Sequence, residues 1–274
     1  PNYNYARHLP HRLGSILNQS IPVWEIIFLD DASTDDSVCV AQTLLHNCSV
    51  RYRVIRNESN SGSVFAQWKK GVDLAEGDII WIAEADDWAA RDFLEVAAMA
   101  FTHLDVAVSY TQSNQVSEEG AVLSASYLDY VQDVDAERWR KPFINEGVEE
   151  LTNGLSVKNT LPNVSAVLLR RTALKRVLDK YFDEVSDFRV AGDWCVYTYM
   201  AEWGRIAYDP RPLNYHRRHP ASVTLSRFTK HEWDEIRRMQ EKVASMVAVP
   251  ANMQQKAADY LALLEDRLDR KYSG

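Results

Sequence analysis

At 274 residues, with 46% hydrophobic and 26% charged residues, the chain has the composition of a folded globular protein, long enough to bury a core without disulfide or metal staples. These proportions exclude disordered and fibrous proteins. Lys and Arg number 31 against 39 Asp and Glu, a formal charge of -8, and the arginine pairs at 170–171, 217–218 and 237–238 are scattered, so no nucleic-acid partner is expected.

Leu9, Leu13, Ile16 and Leu17 recur at helical spacing, and Trp24 to Leu29 reads as a buried strand ending in Asp30-Asp31. Ser33 to Asp36 offers N-cap residues for a helix carrying Val38, Ala41, Leu44 and Leu45, and Val50 to Ile55 alternates as a second strand. Phe65, Trp68 and Val72 mark a helix over 63–75, and 79–83 is a third strand, running into Glu84-Ala85-Asp86-Asp87. Strands separated by short helices predict a parallel, doubly wound sheet with ligands outside the carboxyl ends of the strands, where these acidic clusters stand. Further on come a helix over 92–104, a strand over 106–116 with a turn at 117–120, a loosely patterned stretch to about Asn159, a strand over 165–170, a helix over 172–181, a helix over 193–203 stopped by Gly204, and an amphipathic helical tail broken at Pro250.

Three cysteines, Cys39, Cys48 and Cys195, form an odd set with no metal-ligand spacing, which argues against a disulfide framework and for a reducing compartment. No apolar run approaches membrane-spanning length. Carboxylates at strand ends are costly unless solvated, hydrogen-bonded or bound to a cation, and a hard divalent ion carrying phosphates is a natural partner for two such clusters on one sheet edge. For either cluster alone, a turn or N-cap role competes.

Pro1-Asn2-Tyr3-Asn4, Ser15 to Gln19, Glu25 to Asp35, Asn60-Ser61-Gly62, Ala75 to Asp78 and Glu84 to Asp87 come in the order and approximate spacing of family 2 glycosyltransferases. The resemblance is dense over 1–94 and returns at Gly192-Asp193-Trp194 and over 213–224. It implies an inverting, nucleotide-sugar-dependent enzyme of the GT-A fold: a Rossmann-like, mostly parallel central sheet flanked by helices, with a mixed acceptor-side region and C-terminal helices. The nucleotide-sugar-binding half would span 1–110, the acceptor and base half 111–227, and the helical extension 228–274. Because the chain opens on the turn motif without a preceding strand or methionine, a fragment of a longer, multidomain polypeptide is expected.

By position, the resemblance implies that Pro1 and Tyr3 flank the nucleobase and that Asp30 or Asp31 hydrogen-bonds it. Asn60 and Gly62 would form the turn beside the nucleotide. Glu84-Ala85-Asp86 stands where the family has Asp-x-Asp and would bind the nucleotide-sugar, with Asp86 and Asp87 beside it as metal ligands and Glu84, a departure, at the position that faces ribose or the metal's water shell. Asp193 resembles the catalytic base, although Gly192 replaces the acid that usually precedes it. Arg217 or Arg218 would hold the diphosphate, and His219, ahead of His216, would complete the metal site. The implied cofactor is Mn²⁺ or Mg²⁺. The implied partners are a UDP-, dTDP- or GDP-linked sugar and a glycan or lipid-linked oligosaccharide acceptor of the bacterial O-antigen or capsule type, in the cytoplasm or at the inner face of the plasma membrane. Tyr127, Tyr130, Trp139 and Phe143 are candidate platforms for acceptor sugars, or core. The departures at Glu84 and Gly192 motivate an alternative: a non-catalytic nucleotide-sugar-binding or scaffold module. A dinucleotide-dependent oxidoreductase is disfavoured because Gly-x-Gly-x-x-Gly is absent.

Overall fold

The computed structural model describes residues 1–218 and 229–272. The first part alternates as the periodicity predicts: α1 (Leu9–Leu17), β1 (Glu25–Asp30), α2 (Ser37–His46), β2 (Arg51–Arg56), α3 (Val64–Leu74) and β3 (Ile79–Trp81). Then follow β4 (Trp88–Ala89), α4 (Phe93–Ala98), β5 (Val106–Val116), β6 (Val122–Ser124), α5 (Leu128–Val131), β7 (Phe143–Asn145) and α6 (Gly147–Glu150). The chain continues through β8 (Val167–Arg170), α7 (Arg171–Asp187), α8 (Gly192–Met200), β9 (Arg205–Arg217), α9 (Lys230–Met246) and α10 (Ala251–Tyr272).

β1 and β2 pair in parallel, with Asp30 opposite Arg56. The larger sheet has the order β3-β8-β5-β9-β4, with β6 on β5 and β7 on β9. Its long β5–β9 pair is parallel and its other pairs are antiparallel, so the sheet as a whole is mixed. Asn2 makes an isolated parallel bridge to Asp30, its N–H donating to the Leu29 carbonyl at 2.8 Å, which brings the first residues to the carboxyl end of β1. Between β1 and β3 lies a cavity of about 410 Å³, lined by residues including Phe28, Trp68, Val72 and Ile82.

α8 is apolar on nearly every side, as a helix enclosed by others must be. Of its residues all but Asp193 are buried, and Cys195, Val196 and Met200 are wholly inaccessible. α7 packs on α8 and on α3, with Leu174, Val177 and Leu178 in the shared core, while α9 and α10 close it through Met239, Val243 and Met253. Among the described residues no helix is long and apolar enough to cross a membrane, and the three cysteines are free thiols.

Two expectations are refined at this level. The run Ser33 to Asp36 does supply the N-cap of α2, at Asp36, and Asp35 Oδ1 accepts the Ser37 N–H at 3.0 Å, but the Ser33 hydroxyl donates to Asp30 Oδ1 at 2.6 Å and Asp35 Oδ2 accepts the Ala6 N–H at 3.0 Å, so the polar run also ties β1 to the N-terminal turn. The loosely patterned stretch supplies core: Trp139 is buried and its indole N–H donates to the Tyr110 hydroxyl at 2.8 Å, while Phe143 packs on Tyr208. None of Tyr127, Tyr130, Trp139 and Phe143 is among the described residues lining the cleft below.

Candidate active site

A cleft of about 600 Å³ opens at the carboxyl ends of β1 and β3 and is walled on its far side by the start of α8 and the end of β9. Of the residues singled out in the sequence, Pro1, Tyr3, Asp31, Asn60, Gly62, Glu84, Ala85, Asp86, Asp193, Arg217 and Arg218 line it. Asp30 and Asp87 are not among the lining residues, and His219 lies outside the described residues.

The choice between Asp30 and Asp31 follows from their partners. Asp30 is fully buried, with Oδ1 accepting from Asn2 Nδ2 at 2.8 Å and from the Ser33 hydroxyl, and Oδ2 accepting the Ser33 N–H at 2.9 Å. It fixes the N-terminal turn. Asp31 faces the cleft and is oriented by Asn57 Nδ2 (2.6 Å), the Ser61 N–H (2.9 Å) and hydroxyl (2.8 Å), and Gln67 Nε2 (3.0 Å). Next to it, Ala32 is held at φ 62°, a region that costs a residue with a side chain of order 1 kcal/mol or more and persists only where its surroundings impose it. The Asn60-Ser61-Gly62 turn is built as its residue types require: Asn60 Oδ1 accepts the Gly62 N–H at 2.6 Å, Gly62 takes φ 67°, and Ser63 caps α3 by accepting from the Ala66 N–H. Tyr3 keeps 44% of its surface exposed, so its ring is available as a stacking face.

After β3 the four residues divide their work. Glu84 and Asp86 line the cleft, whereas Asp87 is buried with both oxygens engaged, Oδ1 by the Arg217 N–H at 2.9 Å and Oδ2 by Asn163 Nδ2 at 3.1 Å. Burial, reinforced by Asp87, Asp86 and Asp193, lifts the Glu84 carboxyl well above the ordinary range. Asp87 is lifted by burial too, against the favourable charges of His216 and Arg12. Among the described residues no group of three His, Cys, Asp or Glu is arranged to hold a metal ion. Asp86, with Glu84 beside it, fits a magnesium-like ion that relies on one or two carboxylates, water and a substrate's phosphates, and the burial and neighbouring negative charge that lift the Glu84 carboxyl are what such an ion would relieve.

Asp193 stands at the first turn of α8, half-buried and facing the cleft. Asn159 Nδ2 donates to Oδ2 at 3.0 Å and the Trp194 N–H to Oδ1 at 2.7 Å, which fixes the carboxylate's plane. Burial outweighs these bonds and raises its pKa from 3.8 to about 6. Gly192 is explained by packing: a Cβ there would lie 2.3 Å from the Phe65 ring and 2.9 Å from the Val185 carbonyl oxygen.

The two arginines ending β9 also separate. Arg217 is buried, stacked on Trp88 at 5.0 Å, and its guanidinium donates to the carbonyls of Asp86 (2.9 Å), Ser117 (3.1 Å) and Glu118. Arg218 is half-buried at the cleft with Nη1 3.5 Å from the Tyr127 hydroxyl, and Tyr127 also bonds His216 Nδ1. Sequence reasoning missed Arg12, Gln67, Asn159 and Arg189. Arg12 is buried over Trp81 at 4.9 Å without a hydrogen-bond partner, attracted by Asp87, Glu84 and Asp86, while burial lowers its pKa to about 10. It falls on the Leu9-Leu13-Ile16 stripe, where a charge on an apolar helix face is a readable signal. Arg189 lines the cleft from an irregular loop and carried no pattern.

A family model described as Glycosyl transferase family 2 matches residues 1–159. TuaG of Bacillus subtilis (strain 168), whose name places it in teichuronic acid biosynthesis, is 25% identical over 208 residues, covering 76% of this chain and 72% of the relative. The chondroitin synthase of Escherichia coli is 31% identical over 128 residues, 46% of this chain and 18% of that protein, so this chain spans only part of its longer relatives. Among solved structures, S. aureus TarS 1-349 in complex with UDP-GlcNAc aligns at TM-score 0.68 and 16% identity, covering 95% of this chain and 70% of that one. The mannosyltransferase PcManGT from Pyrobaculum calidifontis, in complex with GDP-Man and Mn²⁺, aligns at 0.61 and 16% identity, covering 97% and 73%. These likenesses establish the GT-A architecture.

Proposed function

The chain belongs to glycosyl transferase family 2, and from that premise we propose that it transfers a sugar, with inversion, from a UDP-, dTDP- or GDP-linked donor to a hydroxyl of a growing polysaccharide or lipid-linked glycan. The observation that carries this reading is Asp193, the sole residue of α8 that is not buried, facing the same cleft as Asp31 and Asp86 with a pKa near 6. A base poised close to neutrality is what deprotonation of a hydroxyl requires. In-line displacement needs that base on the acceptor side, opposite the leaving diphosphate.

Each residue has one task in this reading. The nucleobase stacks against Tyr3 and meets Asp31, whose position is fixed by Ser61 and Gln67. The diphosphate lies beside Arg218 and the acidic pair, and Asp86 with Glu84 would hold Mn²⁺ or Mg²⁺. When bound, such an ion supplies positive charge against the diphosphate as it leaves. Asp193, held by Asn159 and the Trp194 N–H, takes the acceptor proton as the new C–O bond forms. The glycine at 192 answers a packing demand from Phe65, so it does not favour the non-catalytic alternative. Residues 1–110 then form the donor half and 111–227 the acceptor half, meeting at the cleft, with 228–274 as a helical extension. Relatives named for teichuronic acid and chondroitin support a polysaccharide acceptor. A cytoplasmic setting, at the inner face of the plasma membrane for a lipid-linked acceptor, belongs to the same proposal, as does membership of a longer polypeptide.

The test is a thermal-shift screen of UDP-, dTDP- and GDP-sugars, each with Mn²⁺, Mg²⁺ or EDTA. A ligand at a hundred times its Kd stabilises by about 2.7 kcal/mol, and a metal-dependent shift with one nucleotide class is expected. A flat response to every donor would contradict the proposal.

A further inference from the structure

α9 begins at Lys230, outside the walls of the cleft, yet one of its side chains reaches the loop that leads into Asp193. Glu235 is wholly buried, and its carboxylate gathers three consecutive backbone N–H groups: Arg189 at 2.8 Å on Oε1, and Val190 at 2.8 Å and Ala191 at 3.2 Å on Oε2. His231 Nε2 lies 3.1 Å from Oε1. Burying a carboxylate is expensive unless several donors answer it, and three amides with one imidazole do so here. Ala191 is the N-cap of α8, and Asp193 follows two residues later, so this carboxylate fixes the backbone from which the base projects. Arg189 and Val190 are themselves part of the cleft wall.

We propose that Glu235 is a positioning residue for the transfer reaction, acting through the 189–191 loop to hold Asp193 and the adjoining wall in register with the acceptor. This rests on Asp193 being the base. The donor-side groups, Asp31, Asp86 and the Asn60 turn, lie on other elements and are not bonded to Glu235. Its loss should therefore act on turnover and leave donor binding intact. Positioning errors of about 1 Å in a reacting group can cost on the order of a hundredfold in rate. Helix docking is the competing account, and α9 offers a control for it: Arg238 Nη2 pairs with Asp187 Oδ2 at 2.8 Å and its guanidinium stacks on Phe188 at 4.7 Å, rather than hydrogen-bonding the 189–191 amides.

The experiment compares wild type, Glu235→Gln, Glu235→Ala, Arg238→Ala and Asp193→Asn in the full 274-residue chain. UDP-GlcNAc, UDP-glucose, dTDP-glucose and GDP-mannose are the probes, with Mn²⁺, reading nucleoside diphosphate release at saturation and Kd by thermal shift. Expected for Glu235→Gln is a fall in kcat of about tenfold or more with Kd within about twofold, and faster hydrogen exchange at the amides of 189–191. Arg238→Ala should keep the wild-type kcat. A Glu235→Gln enzyme with wild-type kcat overturns the proposal, as does a parallel loss of donor affinity, and Glu235→Gln decides even if Glu235→Ala does not fold. Release retained by Asp193→Asn, or absent in wild type with every donor, removes the base assignment itself. Asp193→Asn inactive beside an unimpaired Glu235→Gln removes only the positioning role.

Discussion

Asp87 and Arg217 meet at 2.9 Å, the backbone N–H of the last residue of β9 donating to a carboxylate oxygen just beyond β3. With Asn163 on the other oxygen, this side chain joins the donor-side loop to the acceptor-side strand. Asp87→Ala strands two donors and is expected to lower stability by about 2 kcal/mol or more, measured by urea unfolding. Asp87→Asn, which retains one acceptor oxygen, should fall between. An Asp87→Asn protein of unchanged stability whose donor binding no longer responds to Mn²⁺ would instead make Asp87 a ligand.

Asp86 is the carboxylate assigned to the cation. Asp86→Ala should abolish the difference between Mn²⁺ and EDTA in donor-induced thermal stabilisation. A Mn²⁺ response equal to wild type would remove Asp86 from the metal site.

Gly192→Ala places a methyl against the Phe65 ring and the Val185 carbonyl, and overpacking of this kind costs about 1–3 kcal/mol. The companion Phe65→Leu should recover part of the loss in a double-mutant cycle. Additive losses would mean that the ring does not set the glycine requirement.

The alternation of β1, β2 and β3 with α1, α2 and α3 was legible because apolar spacing switches visibly between strand and helix there. β4, β6 and β7 were not: each has two or three residues, too few for a period, and is defined by its partner in the sheet. The first part of β9, before the resemblance resumes at Leu213, hid because Pro210 and Pro212 interrupt the strand, and the register indeed shifts around Thr111 and Gln112 opposite. At the site, adjacent like residues could not be told apart from sequence. Asp30 from Asp31, Asp86 from Asp87 and Arg217 from Arg218 differ only in which way the side chain turns, and that is decided by partners such as Asn2, Asn163 and the Ser117 carbonyl, far off in the chain. Glu235 acts from a helix whose pattern reads as an ordinary amphipathic one.

The most direct measurement is turnover against pH for wild type and Asp193→Asn with the donor that the screen identifies. The raised pKa predicts that wild-type activity falls as pH drops through about 6, where the base takes up its proton. By linkage, a folded-state pKa above 3.8 means that the native protein binds the extra proton between those values, so this group's contribution to stability declines as pH rises through that window. Asp193→Asn should therefore be inactive at every pH, bind donor as wild type does, and unfold at a slightly higher temperature at pH 7. Near-normal turnover by Asp193→Asn, or a wild-type profile flat through pH 6, would contradict the assignment of Asp193 as the base.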